Sequence, residues 1–384
     1  MNKKKLLSVL LAGAITATAI TVPAVAYVKA NEQDQQTYQP TVTSKEEKTV
    51  VNLLDGDILK FVSDYKKCGS DAYAEKDVDK YAPKPASISW ESEEGALYYT
   101  VKLSQNADLS DCVKFLTFTN EHAFEDLFMG TKYYYQVTAH FENKTVKSQI
   151  FSFETAYLPR TIYAEGVSNT RDAGGYYTAD GKHRVRQGMI YRGAKLEDGT
   201  EAGLQKLREV YKIKTDLDLR AEATESPLGQ DVNFVNVSGP YYAGGTTGIS
   251  STADSSKGTW QGTYRDALLT EIRTFANPDN YPIYAHCSLG RDRTGTIIFL
   301  INALCGVGET DLFMDYELTF FSKMGLIDNQ TAQTMVGQNF TALYNYLKGY
   351  TSGSLAQSVE KYMKNIGITQ AEIDSIRNIL LEEV

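Results

Sequence analysis

The chain has 384 residues, 42% of them hydrophobic and 23% charged, with a formal net charge of −9. This length suggests two domains, each able to bury a core. The acidic balance argues against binding to nucleic acid or an anionic membrane surface, so an anionic substrate would have to be met by locally concentrated positive charge.

Lys3, Lys4 and Lys5 precede an uncharged apolar stretch from Leu6 to Ala26 that ends in Ala24-Val25-Ala26, the small-x-small pattern of a signal-peptidase site. The stretch is long enough for a membrane anchor, but Thr16, Thr18, Thr21 and Pro23 dilute it and favour cleavage, after Ala26 or after Ala30. Residues 1–26 are therefore expected to be a signal peptide. The mature protein is expected to be secreted or held at the cell surface, with no stable membrane insertion. Cleavage removes three lysines and no acid, taking the charge from −9 to −12. Residues 27–47 are polar and aperiodic, and read as a flexible leader.

Over residues 48–156 the runs "ASISWES", "ALYYTVKLS", "VKFLTFT", "KYYYQVTAHF" and "SQIFSFETA" are rich in aromatic and β-branched residues and are separated by Gly, Asn, Asp and Ser. Several short strands in succession predict an all-β sandwich. The segment resembles a fibronectin type III-like module. Trp90 in "SISW" lies on an early strand, and "LFMGTKYYYQVTA" fits L-x-P-G-T-x-Y-x-x-x-V through Leu127, Gly130, Thr131, Tyr133 and Val137, with Met129 where proline is usual. The resemblance implies that Tyr133 forms the corner of a strand crossing and that the module spaces or presents another domain, its own ligand unknown. Tyr98, Tyr99 and Tyr133 to Tyr135 read as core and sheet-face residues. Of the four cysteines, Cys68 and Cys112 are the plausible disulfide pair in an exported protein, and Cys305, inside "TIIFLINALCGV", is a small core residue.

Over residues 157–384, β-like runs ("TDLDLR", "YPIYAHC") alternate with stretches of helical period ("GLQKLREVY", "TYRDALLTEIRTFA", "DRTGTIIFLINALCGV", "ETDLFMDYELTFF", "LAQSVEKYMKNIG"). The alternation predicts an α/β domain with a mostly parallel central sheet flanked by helices, its active site at the carboxyl ends of the strands. Cys287 falls at such an end.

"AHCSLGRDRTG", residues 285–295, joins that strand to a helix. A phosphate dianion and a thiolate repel each other, so phosphoryl transfer to sulfur needs fixed positive potential, which inward backbone N–H groups and a helix N-terminus supply. Cys287 is the candidate nucleophile and Ser288, Leu289, Gly290, Arg291, Asp292 and Arg293 the candidate phosphate cradle. Arg293 is suited to a bidentate grip on two phosphate oxygens. Gly290 permits a loop conformation that a β-carbon would obstruct, Gly295 permits close helix packing, and Thr294 can donate a hydroxyl to the sulfur. His286 is expected to orient the loop from behind.

The loop resembles the C-x5-R loop of the protein tyrosine phosphatases. More narrowly, residues 166–384 resemble the bacterial tyrosine/serine phosphatases, whose loop carries a basic residue and an aspartate before the arginine, here Arg291 and Asp292. Further segments fall in the family's order: "SNTRDAGGY" with Asn169, Arg171 and Asp172; "GMIYRGAKL" with Tyr191 and Arg192; "DLR" from Asp218 to Arg220; and "GVGETDLFMDYELT". Arg291 stands where lysine is usual. The resemblance implies a cysteinyl-phosphate intermediate with no metal or other cofactor, and an acid within the loop, Asp292. Asp218 is the second candidate acid, although an aspartate two residues before an arginine also suits a structural ion pair, and Asp254 is the third. Residues 243–258 could form a lid or a plain insertion, and 182–188 a solvated hairpin or added cations. Expected substrates are phosphorylated proteins, on tyrosine or on serine and threonine, or phosphoinositides. The alternatives are an inositol polyphosphate phosphatase, or a surface protein that binds phosphorylated ligands or adheres without catalysis.

Overall fold

The computed structural model describes residues 50–73, 82–220, 223–244, 247–250, 262–323 and 330–384. The expected signal peptide and leader, Asp254 and most of segment 243–258 lie outside the described residues. Those described fall into two compact units. The first comprises Ile88–His122 and Tyr133–Ser152; the second draws on Lys48–Ser87, Ala123–Lys132 and Phe153–Val384.

In the first unit, β1 (Tyr98–Ser104) pairs antiparallel with β2 (Val113–Thr117) and β3 (Lys132–His140), and β3 pairs with β4 (Thr145–Lys147). Val101 stands opposite Phe115 on one side and Val137 on the other. Alternation sets the inner face: Tyr99, Val101 and Leu103 are buried, while Tyr98, Thr100 and Lys102 between them are half-buried. Trp90 meets Tyr99 edge to face, with centroids 5.3 Å apart.

The division expected between residues 156 and 157 does not follow these units, because residues 50–73 belong to the second. Val50–Val51 pairs parallel with Glu154–Thr155, and a helix follows at Gly56–Ser63. The reason is an acid 250 residues downstream: buried Glu317 accepts the Tyr65 hydroxyl, the backbone N–H groups of Cys68 and Ser70, and the Ser70 hydroxyl. Asp71 in turn receives the N–H groups of Ala332 and Gln333 at the start of another helix. The proposed disulfide is not made. Cys68 and Cys112 both carry free thiols and sit in different units.

The second unit is built on a five-stranded sheet: β5 (Arg171–Asp172), β6 (Ile190–Gly193), β7 (Thr215–Asp218), β8 (Asn233–Asn236) and β9 (Ile283–His286), in spatial order β8-β7-β9-β6-β5. The four strands other than β5 run parallel, and β5 pairs antiparallel with β6. Central β9 is buried on both faces, so its residues Ile283 to Ala285 read as a continuous apolar run rather than an alternating one before His286 ends it. Register brings His286 level with Gly193 on one side and Asp218 on the other, so three strands end together. Around the sheet lie α1 (Glu201–Glu209), α2 (Gly262–Ala276), α3 (Asp292–Leu304), α4 (Glu309–Glu317), α5 (Thr341–Lys348), α6 (Leu355–Ile366) and α7 (Gln370–Leu380). The segment at 182–188 contributes His183–Val185, which pairs antiparallel with the C-terminal Leu381–Glu383. Among the described residues no helix is long and apolar enough to cross a membrane.

Helix α3 is buried from Thr294 to Leu304, as its all-round apolar sequence requires. Its first turn fits against α4 through Gly295, where a β-carbon would lie 2.8 Å from the Tyr316 ring. That ring is itself stacked on Phe340, with centroids 4.1 Å apart, and has little room to withdraw. Gly295→Ala is therefore expected to destabilise the protein by about 1–3 kcal/mol through overpacking, measured as a lower urea midpoint; an unchanged midpoint would show that Tyr316 yields freely.

Candidate functional site

Leaving β9, the chain makes a tight loop whose carbonyls at Ser288, Leu289 and Gly290 are fastened to residues outside it. The Ser288 carbonyl accepts the Lys195 N–H (3.3 Å), the Leu289 carbonyl accepts Asn169 Nδ2 (2.9 Å), and the Gly290 carbonyl accepts both Arg192 Nη2 (2.7 Å) and Asn169 Nδ2 (3.2 Å). A trans peptide is planar and sets its N–H opposite its C=O, so the N–H groups of Leu289, Gly290 and Arg291 turn to the loop's inner side. Among the described residues none accepts from these three N–H groups. Gly290 has a φ of +68°, and a β-carbon there would stand 2.2 Å from the Gly193 carbonyl oxygen. Both conditions call for glycine. Helix α3 starts directly behind, at Asp292, with no side-chain cap on its N-terminal amides.

The outward fastening depends on two arginines with no solvent exposure. Arg171 and Arg192, on paired strands β5 and β6, both reach Asp315 of α4, Arg171 through Nε at 3.0 Å and Arg192 through Nη1. Arg171 also donates to the Asp315 carbonyl (2.7 Å), to Asn169 Oδ1 and to Thr319 Oγ1 (3.2 Å). Burial opposes ionisation of Asp315, but Arg192 and Arg171 outweigh it and hold the carboxyl below the usual range. Asp172, the next residue along β5, points to the opposite face, where it meets Arg160 (2.9 Å) and the N–H groups of Gly174 and Gly188. It is not brought to the loop.

His286, the last residue of β9, donates from Nε2–H to Asp216 Oδ1 at 2.9 Å, both side chains being buried. Burial disfavours the imidazolium, yet the hydrogen bond and charge of Asp216, with Asp218 adding at longer range and Arg220 opposing, raise the His286 pKa above its usual value. The imidazole thus sits under the loop and away from the Cys287 side chain, whose residue is 5% exposed.

The two candidate acids are placed differently. Asp218 receives Arg220 through its backbone N–H (3.0 Å), Nε (2.8 Å) and Nη2 (2.8 Å), and Arg220 extends to Glu197. Both Asp218 oxygens are occupied, and the side chain is 1% exposed. Asp292, 24% exposed, accepts Arg291 Nε on Oδ1 (2.9 Å) and Arg291 Nη2 on Oδ2 (3.3 Å), and the Tyr242 hydroxyl on Oδ1. Arg293 lies at the loop's end, its guanidinium 5.8 Å from the Tyr241 ring centroid, and its charge opposes the burial that pushes the carboxyl of Glu271 well above the usual range. The Thr294 hydroxyl is buried and without a hydrogen-bond partner among the described residues. No group of three His, Cys, Asp or Glu side chains among the described residues is arranged to hold a metal ion.

Sequence reasoning named neither Asp315, Thr319, Asp216, Tyr242 nor Tyr316. Asp315 and Thr319 lie inside "GETDLFMDYELT", whose order along the chain matches the family without singling out either side chain. Tyr242 lies just before the polar stretch read as a lid or insertion. Its signal is conformational, a φ of +57° at a bulky residue, which no sequence pattern announces.

The model of the family described as "Tyrosine phosphatase family" matches residues 162–382. A protein of Dictyostelium discoideum provisionally named tyrosine-protein phosphatase DG1060 is 31% identical over 77 residues, 20% of this chain and 46% of that protein. One of Cupriavidus necator, provisionally named tyrosine-protein phosphatase H16_A0669, is 29% identical over 168 residues, 39% of this chain and 59% of that protein. The chain thus spans about half the length of these curated relatives. Among solved structures, the core catalytic domain of the PP-IP phosphatase SIW14 of S. cerevisiae is 19% identical with a TM-score of 0.26, covering 39% of this chain and 80% of that one. An Fn3-like protein of Clostridium thermocellum is 23% identical with a TM-score of 0.18, covering 21% of this chain and 85% of that one.

The His286–Asp216 pair carries a signed pH dependence. A histidine whose folded pKa is raised contributes stability that is full below its unfolded value, about 6.5, and is lost as pH rises through the folded value. Unfolding free energies measured by urea at steps from pH 5.5 upward are expected to fall across that window in the wild type and to fall less in Asp216→Asn. Parallel curves would mean that the imidazole is neutral throughout.

Proposed function

The chain belongs to the tyrosine phosphatase family, and on that premise we propose that it hydrolyses phosphomonoesters through a cysteinyl-phosphate intermediate. The observation that carries the reading is the run of outward-fastened carbonyls at Ser288, Leu289 and Gly290, which leaves three consecutive N–H groups and a helix N-terminus facing inward beside Cys287. Such an array is complementary to phosphate oxygens and to charge that builds on them in the transition state.

In the first step the Cys287 thiolate forms a bond to phosphorus while the bond from phosphorus to the ester oxygen breaks. Asp292 gives its proton to the departing oxygen, and Arg293 grips two of the three remaining phosphoryl oxygens. In the second step water attacks phosphorus, Asp292 takes up the water proton, and the sulfur–phosphorus bond breaks to release inorganic phosphate and the thiolate. In this reading Thr294 donates its hydroxyl, buried and without a hydrogen-bond partner among the described residues, to the departing sulfur. Saturation of both Asp218 oxygens by Arg220 supports the choice of Asp292 as acid.

The substrates in this reading carry a single reacting phosphate, on protein tyrosine, serine or threonine or on a phosphoinositide. Arg291 favours these over inositol polyphosphates: it is 4% exposed and turned onto Asp292, so its charge is spent inside the loop rather than offered to a second phosphate. The reading includes export, through Lys3 to Lys5, the apolar Leu6–Ala26 stretch and its small-residue end.

Wild-type protein is expected to hydrolyse an aryl phosphate in the presence of a chelator. Cys287→Ser is expected to lose turnover at least about a thousandfold while still binding phosphate or vanadate. Asp292→Asn should slow esters of poor leaving groups by about a hundredfold to ten-thousandfold and good ones far less. Full turnover in Cys287→Ser would defeat the covalent mechanism, and an equal loss on both classes of ester would defeat the choice of acid. A side-by-side panel of phosphotyrosine peptides, phosphoserine peptides, phosphoinositides and inositol polyphosphates then fixes the substrate class. For export, N-terminal sequencing of protein recovered outside the producing cell should begin at Tyr27 or Asn31; a product that starts at Met1 and stays with the cytoplasm counts against it.

A further inference from the structure

Two adjacent tyrosines, Tyr241 and Tyr242, reach the first turn of α3, each directed at one residue of the cysteine loop. Tyr241 faces the Arg293 guanidinium, and Tyr242 brings its hydroxyl to Asp292 Oδ1. Tyr242 also touches Tyr316 of α4, hydroxyl to hydroxyl. The chemistry of the three groups fixes the direction of the chain. Asp292 Oδ1 accepts whether the carboxyl is ionised or carries its proton on Oδ2, so the single Tyr242 proton goes to Asp292, and the bond between the two phenols uses the Tyr316 proton. Burial raises both phenols above their usual range; at Tyr242 the Tyr316 and Asp292 charges add to it, and at Tyr316 the Asp292 charge adds while the Tyr242 hydrogen bond, Arg291 and Arg192 oppose, so both stay protonated and able to donate.

The placement of Tyr242 is held from several sides. Its backbone is left-handed, φ +57°, which a bulky residue seldom adopts. Its N–H donates to Thr296 Oγ1 (2.9 Å), and the same hydroxyl donates to the Asp292 carbonyl (2.9 Å), so one threonine ties the backbone of the tyrosine to that of the aspartate. Its carbonyl accepts the Ile249 N–H (3.0 Å), and the Ile249 carbonyl accepts the Tyr362 hydroxyl of α6 (3.0 Å). Tyr316 is fixed by stacking on Phe340 and by the close fit over Gly295.

The consequence falls on Asp292. Among the described residues Oδ1 takes two donors, the Tyr242 hydroxyl and Arg291 Nε, whereas Oδ2 takes only Arg291 Nη2 at 3.3 Å. We propose that Tyr242 is the positioning residue of the general acid: it anchors Oδ1, with Tyr316 behind it, so that Oδ2 is the oxygen that carries the proton to the leaving group. This rests on Asp292 being the acid. Tyr242 touches no reacting atom in this scheme and acts only through Asp292.

The test uses the full chain and two esters, phenyl phosphate with a poor leaving group and dinitrophenyl phosphate with a good one. Tyr242→Phe keeps the ring and removes only the hydroxyl. It is expected to lower kcat on phenyl phosphate by about tenfold, the scale of one hydrogen bond to a charged group, leave its KM unchanged, and leave dinitrophenyl phosphate within about twofold. Tyr316→Phe is expected to give a smaller loss with the same leaving-group selectivity, and it serves as the second variant should Tyr242→Phe fold poorly. In an Asp292→Asn background the Tyr242→Phe loss is expected to vanish. Equal losses on both esters, or a Tyr242→Phe loss that persists without the Asp292 carboxylate, would reduce Tyr242 to a packing residue and overturn the proposal. If Asp292→Asn itself spares phenyl phosphate selectively, the acid assignment fails and takes this inference with it. If Asp292→Asn discriminates between the esters and neither tyrosine variant does, the positioning role alone fails.

Discussion

Much of the second unit is arranged around a single carboxylate. Asp315 lies between two guanidinium groups with no solvent exposure, and one of them, Arg192, holds the Gly290 carbonyl. Removing a partner from a buried ion pair leaves an uncompensated charge, at a cost of about 3–5 kcal/mol, so the three side chains hold together or fail together. One carboxylate against two guanidinium groups also leaves an excess of positive charge beneath the loop. In an acidic chain, that excess is fixed positive potential placed where an anion would arrive.

The same arrangement sets the direction of the loop's peptides. Each carbonyl fastened to Lys195, Asn169 or Arg192 fixes the next N–H on the other side, so three donors outside the loop orient three donors inside it. Asn169 serves twice, donating to two loop carbonyls while its own Oδ1 accepts Arg171. Two residues past Asp315, Glu317 gathers residues 65–70 onto the same helix. Burial pushes its carboxyl up, and the Ser70, Cys68 and Tyr65 donors oppose the shift. The N-terminal segment is in this way part of the support of α4 and, through Asp315, of the loop.

What could be read in the sequence is what lies close together in it. The cysteine loop, its preceding strand and its following helix are consecutive, so residue types and spacing announced them. The supports are not consecutive: Arg171 meets Asp315 across 144 positions, His286 meets Asp216 across 70, and Ser70 meets Glu317 across 247. The β-rich runs read within residues 48–156 all begin at "ASISWES" or later, and residues 65–70, which precede them, bind Glu317 within the other unit. α7 left a local signal that went unused, the capping box of Thr369 and Glu372. α6, recognised by its period, is opened by an equivalent box of Ser354 and Gln357.

The comparison of Asp218 with Asp292 shows how one residue type comes to two uses. Each is close to an arginine in sequence and bound to it, Asp218 to Arg220 and Asp292 to Arg291. The difference is what remains after pairing. Asp218 lies at a strand end under the sheet's other carboxyl termini, 1% exposed, with three donors from Arg220 closing around it. Asp292 starts a helix at the rim, 24% exposed, where Arg291 and Tyr242 share Oδ1 and leave Oδ2 with one long contact. A carboxyl that must pass a proton needs an oxygen not already filled by its neighbours. Exposure and donor count, rather than the adjacent arginine, therefore separate an aspartate whose oxygens are both taken from one that keeps an oxygen open, as the proposed acid requires.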